Sequence, residues 1–291
     1  VAHLPGQSSG AGAALLPADR RTKGFRMTPN QAKARLRQGE VVIGTMVSEM
    51  RNEEIAYVLA AAGFDFFVVD TEHGAAGMET VQRICRAARS AGIVPLVRVT
   101  DITYALIART LDAGALGLMV PHVETAADAR EIVRCAKYPP VGERGFGLRS
   151  AVTDYSGASV PEAIAWSNTE TMLMAQVESS RCLDNLDEIA AVPGIDVLLV
   201  GPTDLSISLG VPGQLLHATM QAAYRRVAET SVRHAIAAGL HPSDLAVVQY
   251  GRTVGMRCLM YSSEVRLLLG AARQAVQALR EVPAAGGTSG D

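Results

Sequence analysis

Two stretches of sequence decide the fold: Met172-Leu-Met-Ala-Gln-Val-Glu178 and Asp196-Val-Leu-Leu-Val-Gly-Pro-Thr-Asp204. Each is a short apolar run that ends in a carboxylate, and one helix-length segment separates them. Two further runs also end in polar residues, one at Asp70-Thr-Glu-His73 and the other at Arg98. Short buried runs that alternate with helical segments are typical of parallel strands in βαβ units. Because the carboxyl ends of such strands meet on one rim, the sequence predicts a functional site there.

The alternation continues over the whole region from residue 41 to residue 280 and predicts a (β/α)₈ TIM barrel of the α/β class. The seventh strand is the weak point, because only Leu240-His241 and its flanks are available after a long helix predicted over residues 219–238. An open doubly wound sheet is the alternative, but it would gather its ligand groups at one switch point. The other seven strands are predicted over residues 41–47, 64–69, 94–99, 116–120, 172–177, 196–200 and 257–261.

Size and composition restrict the class of protein. The chain has 291 residues, 48% of them hydrophobic, and a net charge of −2 with acids and bases interspersed. We expect one barrel domain over residues 27–282, with flexible tails over 1–26 and 283–291. No basic face that would bind nucleic acid and no apolar run of about 18 residues that would span a membrane is present. The four cysteines are widely spaced, which favours buried free thiols in a cytoplasmic protein.

Glu178 and Asp204 are the candidate metal ligands. Two carboxylates held close together raise each other's pKa, and a divalent ion resolves that repulsion. Oxygen ligands without clustered cysteine or histidine suit Mg²⁺ or Mn²⁺, while Co²⁺ or Zn²⁺ remain possible. The alternative is that each acid caps the helix that follows it. Gly201 lets a ligand approach the backbone, and the N–H groups of Thr203 and Asp204 are placed to hold a substrate carboxylate.

Asp70 and His73 are the candidate acid–base pair, because a carboxylate three residues from a histidine can orient the ring and leave one nitrogen free. Arg98 ends a buried strand and needs an anionic partner. That partner is either a structural acid or a developing oxyanion. Gln176 points the same way along its strand as Glu178. Glu72 is a supporting residue in this interpretation, and His241 is a possible substrate contact. His122 follows the fourth strand and could face the rim, but surface packing is the favoured interpretation.

Several of these segments together resemble the HpcH/HpaI family of class II pyruvate-dependent aldolases. They are Ala62-Gly-Phe-Asp65, Val69-Asp-Thr-Glu-His-Gly74, Pro95-Leu-Val-Arg98, Val120-Pro121, Tyr138-Pro-Pro-Val-Gly142 with Arg144-Gly-Phe-Gly147, Gln176-Val-Glu178 and Gly201-Pro-Thr-Asp-Leu-Ser206. The resemblance extends from about residue 41 to residue 279. It implies a barrel of the phosphoenolpyruvate/pyruvate-binding type.

The resemblance also implies roles for the site residues. Glu178 and Asp204 would hold the divalent ion, which would chelate pyruvate as its enolate. His73, oriented by Asp70, would move protons, and Arg98 would stabilise the enolate oxygen. Gln176 and Gly201 would line the pocket, and the amides of Thr203 and Asp204 would hold the carboxylate. The implied partners are a small 2-oxo acid and an aldehyde, within a homo-oligomer built as a trimer of dimers.

Three functions are compatible with this sequence. The first is a metal-dependent lyase that cleaves or forms a 4-hydroxy-2-oxo acid. The second is a decarboxylating synthase that forms an enolate from oxaloacetate, and the third is a non-catalytic barrel that binds keto acids. The chain departs from the family pattern after strand seven, at Gly239-Leu-His-Pro-Ser-Asp244, and after strand eight, at Tyr261-Ser-Ser-Glu264. Both departures fall where the acceptor side of a bound substrate would lie.

Overall fold

A computed structural model of the chain describes residues 27–147 and 152–282. Eight parallel strands pair in sequence order and the last pairs with the first, so the sheet is a closed barrel. This confirms the predicted (β/α)₈ architecture. The predicted flexible tails, residues 1–26 and 283–291, lie outside the described residues. Within the described part of the chain, no helix has the length and apolar character needed to cross a membrane.

The elements follow one another with helices between successive strands. The strands are β1 (Val42–Val47), β2 (Phe66–Asp70), β3 (Val94–Arg98), β4 (Gly117–Val120), β5 (Met172–Val177), β6 (Val197–Val200), β7 (Ala237–Leu240) and β8 (Cys258–Ser263). The helices are α1 (Gln31–Arg37), α2 (Glu54–Ala61), α3 (Met78–Ala91), α4 (Tyr104–Asp112), α5 (Ala126–Ala136), α6 (Val160–Glu170), α7 (Ser180–Asp184), α8 (Leu186–Ala190), α9 (Pro202–Ser208), α10 (Ala218–Arg233), α11 (Leu245–Thr253) and α12 (Glu264–Arg280).

Alternate residues of each strand face opposite sides of the sheet, and this separates two apolar clusters. The outer cluster packs the strands against the surrounding helices and includes Phe67, Val97 and Val200. The inner cluster fills the barrel interior and contains Val42, Met46, Phe66, Val68, Val94, Leu96, Met119, Met172, Met174, Val197, Leu199, Ala237, Cys258 and Met260. In four of the strands, the inward-facing position two residues after the last apolar one is no longer apolar. These positions are Asp70, Arg98, Gln176 and Gly201. The same alternation that fills the barrel therefore points polar groups into its carboxyl-terminal mouth.

Helix α1 closes the opposite end of the barrel. Its buried side chains Ala32 and Leu36 belong to the inner apolar cluster. The side chain of Asn30 caps the helix by accepting the N–H of Lys33, and its amide donates to the carbonyl of Leu116 just before β4. The apolar interior is thus covered at the amino-terminal end, and the polar mouth lies at the other.

The predicted boundary between the long helix and strand seven is wrong. The long helix expected over residues 219–238 ends at Arg233, where Ala235 turns the chain with a φ of 54°, and Ala237–Leu240 forms β7. This strand is rich in alanine and lacks the β-branched residues that are typical of strands, so its sequence predicts a helix. The helix-length segment between β5 and β6 forms two short helices, α7 and α8, that meet at Asn185. The four cysteines are buried and free, as expected.

Phe66 provides a test of the interior packing. Its fully buried ring fills the space that a side chain at Gly44 would occupy in the neighbouring strand. We expect Phe66→Ala to lower the free energy of unfolding by about 3–5 kcal/mol, because the surrounding strands cannot close the cavity. Urea unfolding of the variant measures this loss. Val232→Ala, on a side chain that is 75% exposed, is the control and should change stability by less than about 0.5 kcal/mol.

Candidate active site

A buried ion pair between neighbouring strands forms one side of the barrel mouth. The register of β2 and β3 places Asp70 directly beside Arg98. The guanidinium donates two hydrogen bonds to the carboxylate, from Nε at 2.9 Å and from the second terminal nitrogen at 2.6 Å. Burial alone would raise the pKa of Asp70, but the hydrogen bonds and charge of Arg98 hold it below its ordinary value. Asp70 is therefore a fixed anion that orients Arg98.

Glu72 joins this pair to two histidines. Its Oε2 lies 3.0 Å from a terminal nitrogen of Arg98, yet the angle is too poor for a hydrogen bond and that oxygen is buried without a donor. Its Oε1 lies 3.2 Å from Nε2 of His122, and its Oε2 lies 4.0 Å from Nε2 of His73. Both imidazoles are mostly exposed, at 69% and 71%. Two ring nitrogens thus stand at the edge of a buried ionic cluster, where a substrate can reach them.

Glu178 follows β5 on the opposite side of the mouth. Its Oε1 accepts a 2.6 Å hydrogen bond from the amide nitrogen of Gln176, and its Oε2 accepts a 3.4 Å bond from the backbone N–H of His122. A Cβ placed on Gly201 would lie 2.6 Å from Oε1, so the carboxylate sits in space that only glycine leaves open. Burial raises the pKa of Glu178, and the His122 N–H opposes that shift. The charges of Asp204 and Glu72 raise it further, while Arg98 lowers it.

Asp204 belongs to the first turn of α9, which begins directly after β6. Its carboxylate is close enough to Glu178 to raise the pKa of that residue. The backbone N–H groups of Thr203 and Asp204 also lie in this turn, where a helix offers them no carbonyl acceptor. The turn therefore presents both a carboxylate and N–H donors to the mouth.

The donor set fits a hard divalent ion. Glu178 and Asp204 supply carboxylate oxygens from neighbouring strands, and the side-chain oxygen of Gln176 is buried close by without a hydrogen-bond partner. Over residues 27–147 and 152–282, no three His, Cys, Asp or Glu side chains are grouped as metal ligands. An ion held by two carboxylates would complete its coordination shell with water or substrate, as Mg²⁺ commonly does.

The last two strands complete the rim with contacts that stabilise loops. His241, directly after β7, has its Nε2 2.8 Å from the carbonyl of Ser262, so that nitrogen carries the proton and donates. Burial lowers the pKa of His241, which keeps the ring neutral. The carboxylate of Glu264 accepts the backbone N–H groups of Ser48, Glu49 and Met50. His241 and Glu264 lie in the two segments that depart from the family pattern. Their hydrogen bonds connect β7 to β8 and the loop after β1 to α12.

The structure brings the predicted residues to one rim but changes how they pair. The carboxylate of Asp70 accepts the backbone N–H of His73 at 3.2 Å, and the acidic group nearest to the His73 ring is Glu72. The predicted side-chain dyad of Asp70 and His73 is therefore wrong. Ser179 and Gly201, not the two acids, are the N-caps of α7 and α9. Neither acid is therefore an N-cap residue, although Asp204 lies in the first turn of α9.

His122 is a candidate site residue that the sequence analysis ranked below surface packing. It was assigned to surface packing, but its backbone adopts a φ of 58° that turns both its N–H and its ring toward the mouth. A left-handed conformation at a non-glycine residue is uncommon and has no reliable sequence signature. The one sequence signal for His122 was its position directly after β4, because the other site residues also follow strands.

Comparison with known proteins identifies relatives of the whole barrel. A hydroxypyruvate/pyruvate aldolase from Paraburkholderia phytofirmans is 35% identical over 255 residues, which cover 86% of this chain and 98% of the relative. A 2-keto-3-deoxy-L-rhamnonate aldolase from Escherichia coli K12 is 37% identical over 234 residues, or 80% of this chain and 84% of the relative.

Solved structures and the family profile agree with these relatives. The crystal structure of an HpcH/HpaI aldolase from Desulfitobacterium hafniense is similar, with a TM-score of 0.82 and 36% identity over 88% of this chain and 98% of the other. The profile of the HpcH/HpaI aldolase/citrate lyase family matches residues 45–250, which include Asp70, Glu72, His73, Arg98, His122, Gln176, Glu178, Gly201 and Asp204. This chain therefore belongs to the HpcH/HpaI aldolase/citrate lyase family, and the lyase-type enzyme predicted from its sequence is confirmed at that level.

Proposed function

We propose that the protein is a divalent-metal-dependent aldolase that cleaves or forms a 4-hydroxy-2-oxo acid, with pyruvate or a close analogue as the 2-oxo acid. One observation carries this proposal: Glu178 and Asp204 face the buried cluster of Arg98, Asp70 and Glu72 across a single barrel mouth. Two carboxylates can hold a cation there, and the fixed guanidinium can stabilise an oxyanion. The names of the two aldolase relatives support the same reaction class.

In the mechanism, each residue has one task. Glu178 and Asp204 would hold a divalent ion, which when bound would supply Lewis acidity for the keto oxygen of the substrate. Arg98, held in place by Asp70, provides a preorganised positive charge where the negative charge of the enolate develops. Gln176 orients Glu178 through its 2.6 Å hydrogen bond. The first-turn N–H groups of Thr203 and Asp204 bind the substrate carboxylate.

A proton must also leave the 4-hydroxyl group during cleavage. We assign this step to Nε2 of His73, which is exposed at the mouth beside Glu72. An imidazole titrates close to neutral pH and can accept the proton and return it in the reverse direction. The carboxylate of Glu72 lies 4.0 Å from this ring nitrogen.

The assignment of Glu178 and Asp204 as metal ligands predicts that replacing either one abolishes aldol cleavage. We expect Glu178→Gln and Asp204→Asn to lower pyruvate release from a 4-hydroxy-2-oxo acid by at least about 100-fold while circular dichroism stays unchanged. The assay uses chelator-treated enzyme with Mn²⁺ or Mg²⁺ added back. Glu188→Gln, which changes an exposed acid on α8, is the matched control and should keep full activity.

Full turnover in either of the two ligand variants after metal is restored would contradict the assignment. The wild-type assay also separates the competing functions. Loss of CO₂ from oxaloacetate without retro-aldol turnover would indicate the decarboxylating synthase. Binding of pyruvate without exchange of its methyl protons in D₂O would indicate a non-catalytic keto-acid-binding barrel.

The assignment of proton transfer to His73 predicts that its replacement slows cleavage without weakening metal binding. We expect His73→Ala to slow aldol cleavage by about 100-fold or more, because a positioned acid–base group typically contributes that much. Binding of Mn²⁺, measured by titration calorimetry, should remain within a factor of two or so. His234→Ala, at the far end of α10, is the control. Equal cleavage rates in wild type and His73→Ala would remove the proton-transfer role.

We also propose that the chain acts as a homo-oligomer, because α12 carries apolar side chains that its own barrel does not cover. Only Glu264 is buried in this 17-residue helix, whereas Leu268, Leu269, Val276 and Leu279 are exposed. An exposed apolar helix face of this kind marks an interaction surface. A trimer of dimers in a reducing cytoplasm is consistent with this face and with the four free thiols.

The oligomer proposal predicts a change in mass. Light scattering should give a mass several times that of one chain, and the double variant Leu269→Glu with Leu279→Glu should shift it toward smaller species. Leu216→Glu, at an exposed loop position away from α12, is the control. A wild-type monomer would contradict the proposal.

A further inference from the structure

The amino-terminal end of the barrel contains a second polar cavity, remote from the site described above. It has a volume of about 750 Å³ and lies between α1, the end of α10 and the starts of β5, β6 and β7. Its ionisable lining residues are four bases, Lys33, Arg37, Lys137 and Arg257, and one acid, Asp196. The proposed mechanism uses none of them.

Two of these bases are buried lysines that donate to the same carbonyl oxygen. Lys33 donates to the carbonyl of Thr171 at 2.7 Å and to Oδ2 of Asp196 at 2.9 Å. Lys137 donates to the same Thr171 carbonyl at 2.8 Å and to that of Asn168 at 2.8 Å. The side chain of Lys33 is 4% exposed, and Lys137 is 3% exposed. Each ammonium has three N–H donors, so each retains one beyond these bonds.

Negative charge around these lysines falls short of the positive charge. Asp196 is the one carboxylate in the lining, and its Oδ2 already accepts from Lys33 and from the backbone N–H of Leu173. Arg37 lies 3.8 Å from the other oxygen of Asp196. Arg257 forms no ion pair with any residue that the structure describes. The nearby carboxylate of Glu170 acts on Lys33 from a distance and accepts the N–H of Asn30.

Buried positive charge without a compensating anion is costly, so the lining is suited to a negatively charged ligand. Burial and the neighbouring Lys33 lower the pKa of Lys137 to about 7, which is the direction expected where cations outnumber anions. A purely structural role for the lysines accounts for their bonds to carbonyls. It does not account for Arg37 and Arg257 lining the same cavity.

We propose that this cavity is a binding site for a small dianionic oxyanion of the phosphate type, held by Lys33, Lys137 and Arg257 with Arg37 at its edge. Two guanidinium groups and two ammonium groups form the donor set that binds phosphate in proteins. The cavity also has room for a phosphate monoester. The bound anion would connect the starts of β5 and β6, because Thr171 and Asp196 immediately precede those strands.

Thermal unfolding of the metal-loaded enzyme tests this site. Inorganic phosphate and glycerol 3-phosphate are added separately, each against sodium chloride at matched ionic strength. We expect the melting temperature to rise by about 2–4 °C with one or both anions, because a ligand that binds only the native state stabilises it. A larger shift with the monoester identifies an organic phosphate as the preferred ligand, and equal shifts identify the free anion.

Variants test whether the stabilising anion binds in this cavity. Arg257→Gln and Lys137→Gln should lose most of the shift, whereas Arg252→Gln, on the exposed side of α11, should keep it. Arg257 is only half-buried, so its variant remains informative if replacement of the buried lysine prevents folding. Glu178→Gln should retain the full shift, which separates this site from the proposed catalytic one. The proposal is overturned if neither anion stabilises the wild type beyond sodium chloride, or if Arg257→Gln and Arg252→Gln respond alike.

Discussion

The alternation of inward and outward side chains along eight parallel strands is the constraint on which the rest of this structure depends. Inward positions are apolar through the body of the barrel, as at Phe66 and Leu96. At the last inward position of β2 and β3 they become Asp70 and Arg98. A shift of either strand by one residue would turn these groups out toward the helices. Packing of the interior therefore also determines which side chains meet at the mouth.

The electrostatics of the mouth follow from how its charges are distributed. Asp70 and Arg98 neutralise each other through two hydrogen bonds, which makes them a rigid unit rather than a pair of titrating groups. Glu72 and Glu178 are left with less compensation, since Oε2 of Glu72 has no donor and burial raises the pKa of Glu178. The surplus of negative charge therefore lies on both sides of the mouth in which a cation is proposed to bind. At the other end of the barrel, four basic side chains line a cavity that contains one acidic side chain, Asp196.

The sequence was sufficient for the fold and for the composition of the rim, because both follow from periodicity. Glu178 and Asp204 were found since each ends a short apolar run. Strand β7 was misassigned because Ala237 and Ala238 pack in the barrel without the branched side chains that mark a strand. The pairing of Asp70 with Arg98 in place of the His73 ring depends on strand register, and the orientation of His122 depends on a left-handed backbone. Neither of these can be read from residue spacing.

Gly201 has a consequence for how this scaffold can diversify. The Glu178 carboxylate occupies the volume that any larger residue at position 201 would need, so that position is closed to variation as long as Glu178 keeps its place. His122 and His73, by contrast, project exposed rings from loops on the other strands. A mutational library aimed at new acceptor molecules would therefore gain most by sampling the loop around His122, with His73 and the β5–β6 edge left unaltered.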